Sequence, residues 1–158
     1  LFADRREQRP QVEGTVARGM LRQDSHLQEG AVDGQWVDTF PFEINAAVMK
    51  RGQQRFDIFC APCHGLSGNG NGMVAVRAEE LQEGKWIPPS DLRSDTVRER
   101  PVGHLFNTIA NGIRTMPAYG KQIDIPDRWA IVAYVRALQR SQRATPQDVP
   151  EALRPSLR

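Results

Sequence analysis

The feature that most constrains this chain is the pentapeptide Cys60-Ala61-Pro62-Cys63-His64. Its Cys-x-x-Cys-His spacing is typical of covalent haem attachment: two thiols add across the haem vinyl groups, and the next histidine binds the iron on its proximal side. The chain has two cysteines, so two thioethers would leave no thiol for a disulfide or a cysteine-based metal site. We therefore predict one covalent haem c, attached at Cys60 and Cys63 and ligated by His64.

Two other uses of a Cys-x-x-Cys pair fit the surrounding sequence less well. A thioredoxin-like redox pair sits after a strand in a βαβ pattern, whereas residues 46–59 have the pattern of a helix. A zinc site needs further cysteine or histidine ligands at short spacing, and the remaining histidines, His26 and His104, are isolated.

A glycine-rich segment follows the pentapeptide, Gly65-Leu-Ser-Gly-Asn-Gly-Asn-Gly72. It is similar to a phosphate-binding glycine fingerprint, but no strand precedes it and no P-loop Lys-Ser/Thr follows it. We expect a tight backbone turn packed against the cofactor instead.

Length and charge favour one domain with extensions at both ends. Residues 1–44 carry five arginines and eight acids, a net charge of −3; residues 45–140 carry thirteen basic and nine acidic residues, +4; residues 141–158 carry three and two, +1. The total of +2 gives no indication of nucleic-acid binding, and we expect none. A basic domain with an acidic arm would assist docking to a partner.

We expect an extracytoplasmic chain with no transmembrane helix of its own. No apolar run approaches the roughly 20 residues that span a bilayer. The first three residues are followed at once by Asp4, Arg5 and Arg6, with no apolar signal-peptide region. Because haem is attached outside the bacterial cytoplasmic membrane, we expect a mature form whose export signal has been removed.

Residues 1–44 form an arm without sustained helical or strand periodicity. Scattered glycines and few large apolar residues before Trp36 argue against a core of its own, but the composition is less polar than that of typical disorder. We expect this arm to pack on partner subunits or over its own domain.

Three helices are predicted within residues 45–140. The first follows Asn45 as N-cap, runs from Ala46 to Phe59 and ends near Pro62. The second covers 102–111, with Gly112 as its C-cap. The third starts after Pro126, with Asp127 as cap or first-turn acid, and runs through Leu138 on a 3.6-residue apolar period. Three prolines interrupt residues 141–158, so we predict an extended tail.

Met116 is the best candidate for the second iron ligand. It lies in a Thr-Met-Pro loop 52 residues after His64, which leaves the chain room to travel round the porphyrin, and Pro117 stiffens that loop. Met73 is too close to the attachment site in sequence. His104 is the alternative, but its position early in a helix, away from the apolar face, favours a surface histidine.

The remaining predictions concern the wall of the haem pocket. The Pro88-Pro89 loop is a source of a backbone carbonyl for the second ring nitrogen of His64. Trp86, Arg93 and Arg114 are candidates to meet the propionates. The residues predicted to contact the haem are Pro89, Leu92, Phe106, Ile109, Ile113 and Tyr119.

The order of helix, attachment site, glycine loop, double-proline loop, middle helix, Met-Pro loop and aromatic last helix resembles class I cytochromes c over about residues 45–140. The resemblance implies an all-α fold in which the first and last helices cross, with Gly52 and Phe56 against Tyr134. It also implies electron transfer through the haem.

A closer resemblance is to the monohaem cytochrome c subunit of bacterial alternative complex III, a membrane quinol:electron-acceptor oxidoreductase. It rests on Thr15-Val-Ala-Arg-Gly-Met-Leu-Arg-Gln-Asp24, on residues 50–65, on Gly72-Met-Val and on residues 127–139. It implies an electron relay rather than an enzyme, since quinol is oxidised by other subunits.

That resemblance also implies where the chain works. Its partners would be the other subunits, including a multihaem cytochrome c, and a downstream cytochrome or oxidase. It would lie on the periplasmic side of the cytoplasmic membrane, held by the complex and by an N-terminal lipid anchor if a lipidated cysteine precedes Leu1. The alternatives are a soluble periplasmic shuttle cytochrome c and a haem protein with an open catalytic or sensing site.

Overall fold

The computed structural model describes residues 12–16, 24–81 and 86–156. The prediction of an arm therefore lies partly outside the described residues, including Met20. The described helices and strands, in chain order, are α1 (Ser25–Glu29), β1 (Ala31–Val32), β2 (Gln35–Trp36), α2 (Ala46–Phe59), α3 (Ala61–His64), α4 (Met73–Glu80), α5 (Asp95–Arg98), α6 (Val102–Asn111) and α7 (Ile125–Ser141).

Helices α2 and α7 cross at a glycine. A Cβ atom on Gly52 would overlap the carbonyl oxygen of Ala130 and would lie 3.1 Å from Cβ of Tyr134. One turn later, the rings of Phe56 and Tyr134 are 5.4 Å apart between centroids. The predicted contact between the first and last helices is thus present, and the missing side chain of Gly52 lets the two backbones approach.

Polar groups cap the start of α2 and join α2 to α7. The Asn45 side chain accepts hydrogen bonds from the backbone N–H of Ala47 and Val48, at 3.0 and 3.1 Å, which confirms the predicted N-cap. Asp127, in the first turn of α7, pairs with Arg51 at 2.7 Å and with Arg55 at 3.0 Å. The acid of one helix thereby joins two cations of the other.

The core lies where α6 packs on α7. Phe106 and Trp129 are both buried and stack at 4.4 Å between ring centroids. Leu105 and Ile109, also buried, extend the same cluster on another side of α6. Helix α6 has the predicted bounds, and Gly112 caps its C-terminus through its backbone N–H to Thr108.

Residues 24–44 lie on their own domain. The indole N–H of Trp129 donates to the carbonyl of Leu27 at 2.8 Å, and Gly30 meets Gly103 of α6 so closely that a Cβ on either would overlap the other's backbone. Strands β1 and β2 form a two-stranded hairpin beside this contact, with Ala31 opposite Trp36. Residues 24–44 thus contact α6 and α7 of the same chain.

Helix α2 covers the predicted residues 46–59, and Pro62, near which it was expected to end, lies in the first turn of α3, where a proline is tolerated. Other features differ from the predictions. Helix α7 begins at Ile125 instead of after Pro126. Helices α4 and α5 were not predicted; both are short, and such helices depend on packing rather than on their own propensity.

The tail was predicted to be extended, but it contains two 3-10 helices, Pro146–Asp148 and Glu151–Ser156. Pro146 lies in the first turn of its helix, where the missing N–H has no helical partner, whereas Pro155 lies inside the second helix. Thr145 and Asp148 form a capping box at the first of them. In the described ranges, no helix is both long and apolar enough to cross a membrane.

Candidate haem site

A cavity of about 600 Å³ lies between the end of α2, helix α3, the segment 86–100, helices α6 and α7 and the loop after α6. Its size falls within the range of cofactor and small-ligand pockets. Most of its wall is apolar, including Phe56, Leu105 and Ile131 from the core.

Helices α2 and α3 place Cys60, Cys63 and His64 in this wall. Cys60 closes α2 through its N–H to Phe56 at 2.8 Å, and its carbonyl accepts from the N–H of His64 at 2.8 Å. Burial, followed by the neighbouring Cys63 and Asp57, raises the pKa of the Cys60 thiol to about 12. Redox-active Cys-x-x-Cys pairs have a lowered thiol pKa, so this environment disfavours the thioredoxin-like alternative.

His64 is held in one tautomer. Its Nδ1 lies 3.2 Å from the carbonyl oxygen of Ser90. Because a carbonyl only accepts, Nδ1 must carry the proton, which leaves Nε2 as the nitrogen able to bind a metal ion. Burial lowers the pKa of His64, and the bond to Ser90 opposes this shift in part. The ring is therefore favoured in its neutral, metal-binding form.

Met116 lines the same cavity, in a tight hairpin after α6. Its N–H donates to Ile113 at 2.9 Å, and its carbonyl accepts from the N–H of Ile113 at 3.1 Å. Arg114 at the tip has φ +52°, in the left-handed region that side chains rarely adopt. The loop is thus a defined turn that presents a thioether to the cavity wall.

The glycine segment supports the attachment site. The N–H groups of Gly70 and Gly72 donate to the carbonyls of His64 and Cys63, at 2.8 and 3.0 Å. Gly70 has φ +84°, and a Cβ on Gly72 would lie 2.5 Å from the carbonyl oxygen of Ala61. Such contacts require glycine, and the segment forms a tight turn against α3.

Seven of the predicted pocket residues line the cavity. They are Trp86, Pro89, Leu92, Ile109, Ile113, Arg114 and Tyr119.

Phe106 and Arg93 do not line the cavity, and these two predictions are corrected. Phe106 is one position after Leu105 on α6, and that rotation turns it away from the cavity to stack on Trp129. Arg93 forms a two-point ion pair with Asp91, with N···O distances of 2.9 and 3.0 Å. His104, predicted to be a surface histidine, is half-buried and does not line the cavity; its ring meets that of Trp36 edge to face, with 5.7 Å between the centroids.

Several wall residues were not predicted from the sequence; one of them, Arg100, adds a second cation to the wall that contains Arg114. Arg100 stands before a helix in a stretch without periodicity, and no sequence signal marked it. Val74 was not predicted because it lies on α4, which was itself not predicted. Ile87 was not predicted because the proline loop has no periodic pattern of apolar residues. Val97 comes from the unpredicted α5.

The residues present fit a c-type haem. Two thiols three positions apart, one neutral imidazole nitrogen and one thioether lie on a single apolar cavity, and these are the groups that attach and ligate such a haem. Among the described residues no group of three or more histidine, cysteine, aspartate or glutamate side chains is placed to hold another metal ion.

Comparison with known proteins agrees with this chemistry. A family model described as cytochrome c oxidase, cbb3-type, subunit III, matches residues 47–135. No curated protein matches the chain. Among solved structures, a chain of the reducing HAO-like protein complex of Kuenenia stuttgartiensis is similar, with a TM-score of 0.51 and 18% identity.

That alignment covers 72% of this chain and 54% of the other, so the chain spans about half the length of its structural relative. At this identity the likeness concerns the fold. The family match spans more than half of the 158 residues. The chain therefore belongs to the cytochrome c family described as cytochrome c oxidase, cbb3-type, subunit III, and has the all-α fold of class I cytochromes c, which supports electron transfer through haem.

Proposed function

We propose that this chain carries one electron at a time through a single haem c held by Cys60, Cys63, His64 and Met116. The observation that carries the proposal is that His64, with its Nδ1 bonded to Ser90, shares one apolar cavity with both thiols and with the Met116 hairpin. Two protein ligands would leave no open iron position, which favours electron transfer over catalysis or sensing.

Each of these residues has a separate task. The bound haem supplies the change between ferric and ferrous iron. Cys60 and Cys63 hold the group covalently, so it stays in place in both oxidation states. Burial favours the neutral form of His64, and the bond to Ser90 fixes the orientation of its ring. The Met116 thioether favours a higher potential than a second histidine would, and the apolar wall keeps water from the cavity.

Trp86, Arg100 and Arg114 also line the cavity, whose wall is otherwise largely apolar. Haem carries two carboxylates, and arginine pairs strongly with carboxylate groups. We assign these three residues to the propionates.

We further propose that the chain is the monohaem subunit of a membrane-associated, quinol-oxidising complex of the alternative complex III type. This assignment rests on the sequence resemblance in the arm, in α2 with α3, and in α7. It is supported by Val74 and Ile87, two apolar side chains that line the cavity and are nevertheless exposed, because exposed apolar residues at one site mark contact surfaces.

In such a complex this subunit would lie on the periplasmic side of the membrane and relay electrons. Other subunits would oxidise the quinol, a multihaem cytochrome c would be a neighbour, and a downstream cytochrome or oxidase would receive the electrons.

The ligand assignment predicts a specific loss in Met116→Ala. The wild-type holoprotein should give one haem per chain in a pyridine haemochrome assay, a low-spin ferrous spectrum and no carbon monoxide binding. The variant should keep the covalent haem, lose the low-spin bands and bind carbon monoxide. Met73→Ala, at an exposed methionine on α4, is the matched control and should behave as wild type. Carbon monoxide binding to the unmodified ferrous protein would favour the open catalytic or sensing site instead.

Membership of a complex is tested by purification from native membranes, followed by identification of the haem-stained bands. We expect this chain in an integral membrane complex together with a multihaem cytochrome c. Recovery of the chain only in the soluble fraction would favour the shuttle cytochrome.

A further inference from the structure

The segment 86–100, here called the strap, forms one wall of the haem cavity from Trp86 to Arg100. It carries Ser90, whose carbonyl accepts the hydrogen bond of His64. On the cavity side, the strap is tied to the glycine segment by the N–H of Leu92, which donates to Gly68 at 2.7 Å. The position of the strap therefore decides where the acceptor for His64 lies.

A second set of bonds reaches the strap from α7. Gln139 is 4% exposed, and its Nε2 donates to the carbonyl of Leu92 at 2.6 Å. Arg136 donates from Nη1 to the carbonyl of Arg98 at 2.9 Å and from Nη2 to the carbonyl of Arg100. The two side chains are also joined, since Arg136 Nη1 donates to Oε1 of Gln139 at 2.8 Å.

Gln139 is buried and Arg136 is half-buried, on a helix whose other buried positions are mostly apolar. Burying an amide or a guanidinium is costly unless it is hydrogen-bonded, and here the bonds go to three backbone carbonyls of one segment. The contacts at Leu92, Arg98 and Arg100 are spread along the strap. They therefore restrain the backbone path of most of the strap, and not only that of one turn.

We propose that Gln139 and Arg136 are positioning residues that act through the strap to hold the Ser90 carbonyl against His64. Leu92 is two residues from Ser90, so its restraint reaches the acceptor through a short, proline-preceded stretch of backbone. The His64 to Ser90 distance of 3.2 Å is at the long end of the range for N–H···O bonds. A shift of a few tenths of an ångström would weaken it.

The inference rests on the proposed function, because the bond to Ser90 matters through the iron ligand that it orients. A hydrogen bond from the ring nitrogen that does not bind the metal ion sets both the orientation and the basicity of a metal-binding histidine. Neither Gln139 nor Arg136 is among the residues that line the cavity, and their hydrogen bonds connect them to the site through the strap.

The test uses the holoprotein and the variant Gln139→Met, which keeps the length of the side chain and removes its donor. NMR of the ferrous, diamagnetic form reports the Nδ1 proton of His64 and the amide of Leu92. We expect the Nδ1 proton to move to lower chemical shift, as a weaker hydrogen bond requires, and to exchange at least tenfold faster. The Leu92 amide should exchange faster by a similar factor, while the amides of α2 keep their rates.

Gln54→Met is the matched control, because Gln54 is an exposed glutamine on α2, remote in sequence from the strap and bonded to Arg51. It should leave the Nδ1 proton unchanged. Arg136→Lys keeps a cation but loses the forked donor, and we expect an intermediate effect from it. If Gln139→Met fails to mature with haem, the Nδ1 proton of His64 in Arg136→Lys tests the inference instead.

Two results would overturn the inference: an unchanged Nδ1 proton in the variants, or equal acceleration of exchange in the strap and in α2, which would mean general loss of stability. Failure of the proposed function is seen earlier and separately, as absence of covalent haem from the wild-type protein, and would remove the inference with it.

Discussion

The tautomer of His64 is set by an acceptor 26 residues further along the chain. The attachment motif predicted His64 as a ligand, and the double proline predicted the loop that supplies the acceptor. The acceptor is the carbonyl of Ser90, the residue after Pro89. Successive backbone carbonyls of the proline loop are chemically alike and differ only in the direction in which they point. The contacts of the strap with Gly68 and α7 determine which carbonyl points at His64.

Side chains next to each other on α6 show the same limit. Leu105 and Phe106 are both apolar and both buried, so the sequence predicts that both face inward. Only Leu105 lines the cavity, while Phe106 stacks on Trp129. A helix buried on more than one side has no polar face to distinguish a cofactor contact from a core contact.

Asp91 on the strap should contribute to stability in a pH-dependent way. Its hydrogen bonds from Arg93 hold its pKa below the usual value, against a smaller opposing effect of burial. A carboxyl with a lowered pKa in the folded state stabilises the fold at pH above its unfolded pKa, about 3.9, and loses this contribution as pH falls through the folded value. The side chain is 39% exposed, so solvent screening limits the effect to under about 1 kcal/mol.

The measurement for Asp91 is the free energy of unfolding of wild type and Asp91→Asn from pH 7 to pH 2.5. The difference should be largest near neutral pH and vanish at the acid end, because the amide keeps the acceptor and removes the charge. Glu79→Gln, at an exposed carboxyl on α4, controls for net charge. A difference that stays constant with pH would contradict the role of the charge.

At the scale of elements, the bounds of the long helices were well predicted. Asn45 as N-cap, residues 102–111 with Gly112 and the course of α7 depend on signals within a few residues of each end. Helix α4 and helix α5 have eight and four residues. Their sequences have weak periodicity over so short a length, and packing on the attachment site and strap decides that they form.

Gly52→Ala should disrupt the crossing of α2 and α7. The new Cβ would overlap the Ala130 carbonyl oxygen and lie 2.7 Å from the attached carbon, and backbone cannot move aside as a flexible side chain can. We expect a loss of about 1–3 kcal/mol or more in the free energy of unfolding, measured by denaturant titration. Gln54→Ala, at an exposed site on the same helix, should change it by less than about 0.5 kcal/mol. Wild-type stability in Gly52→Ala would show that the crossing relaxes easily.

At the scale of the whole molecule, the arm has one part that packs on the core, residues 24–44, and another described part that is exposed, residues 12–16. Leu27, Val37, Phe40 and Phe42 pack against the core cluster, and Leu27 accepts the indole bond of Trp129. Val12 and Val16, in the other described part of the arm, are exposed. Residues 24–44 are thus part of the domain, although their sequence shows no periodic pattern.

Two truncations test this division. Removal of residues 1–44 takes away four core-packed side chains, each contributing about 1 kcal/mol or more, and leaves a buried indole N–H without its acceptor. We expect a loss of several kcal/mol in the free energy of unfolding. Removal of residues 1–23 should change it by about 1 kcal/mol or less and keep the haem spectrum. Equal stability of the two truncated forms would contradict the assignment of residues 24–44 to the domain.

The shorter truncation also serves the proposed complex. If the first 23 residues contact partner subunits, the chain that lacks them should fold and carry haem but fail to co-purify with the membrane complex. Co-purification at wild-type yield would show that the arm is not needed for assembly.

From the sequence alone came the attachment motif, the helix ends and the class of fold, because these depend on residues close together along the chain. A cysteine pair with its histidine, an N-cap or a proline has the same local chemistry in any surroundings. The tertiary structure decided which carbonyl orients His64, that Phe106 belongs to the core, that residues 24–44 cover their own domain, and that Gln139 and Arg136 hold the strap. These contacts join segments up to 102 residues apart, and they are set by the packing of the whole chain.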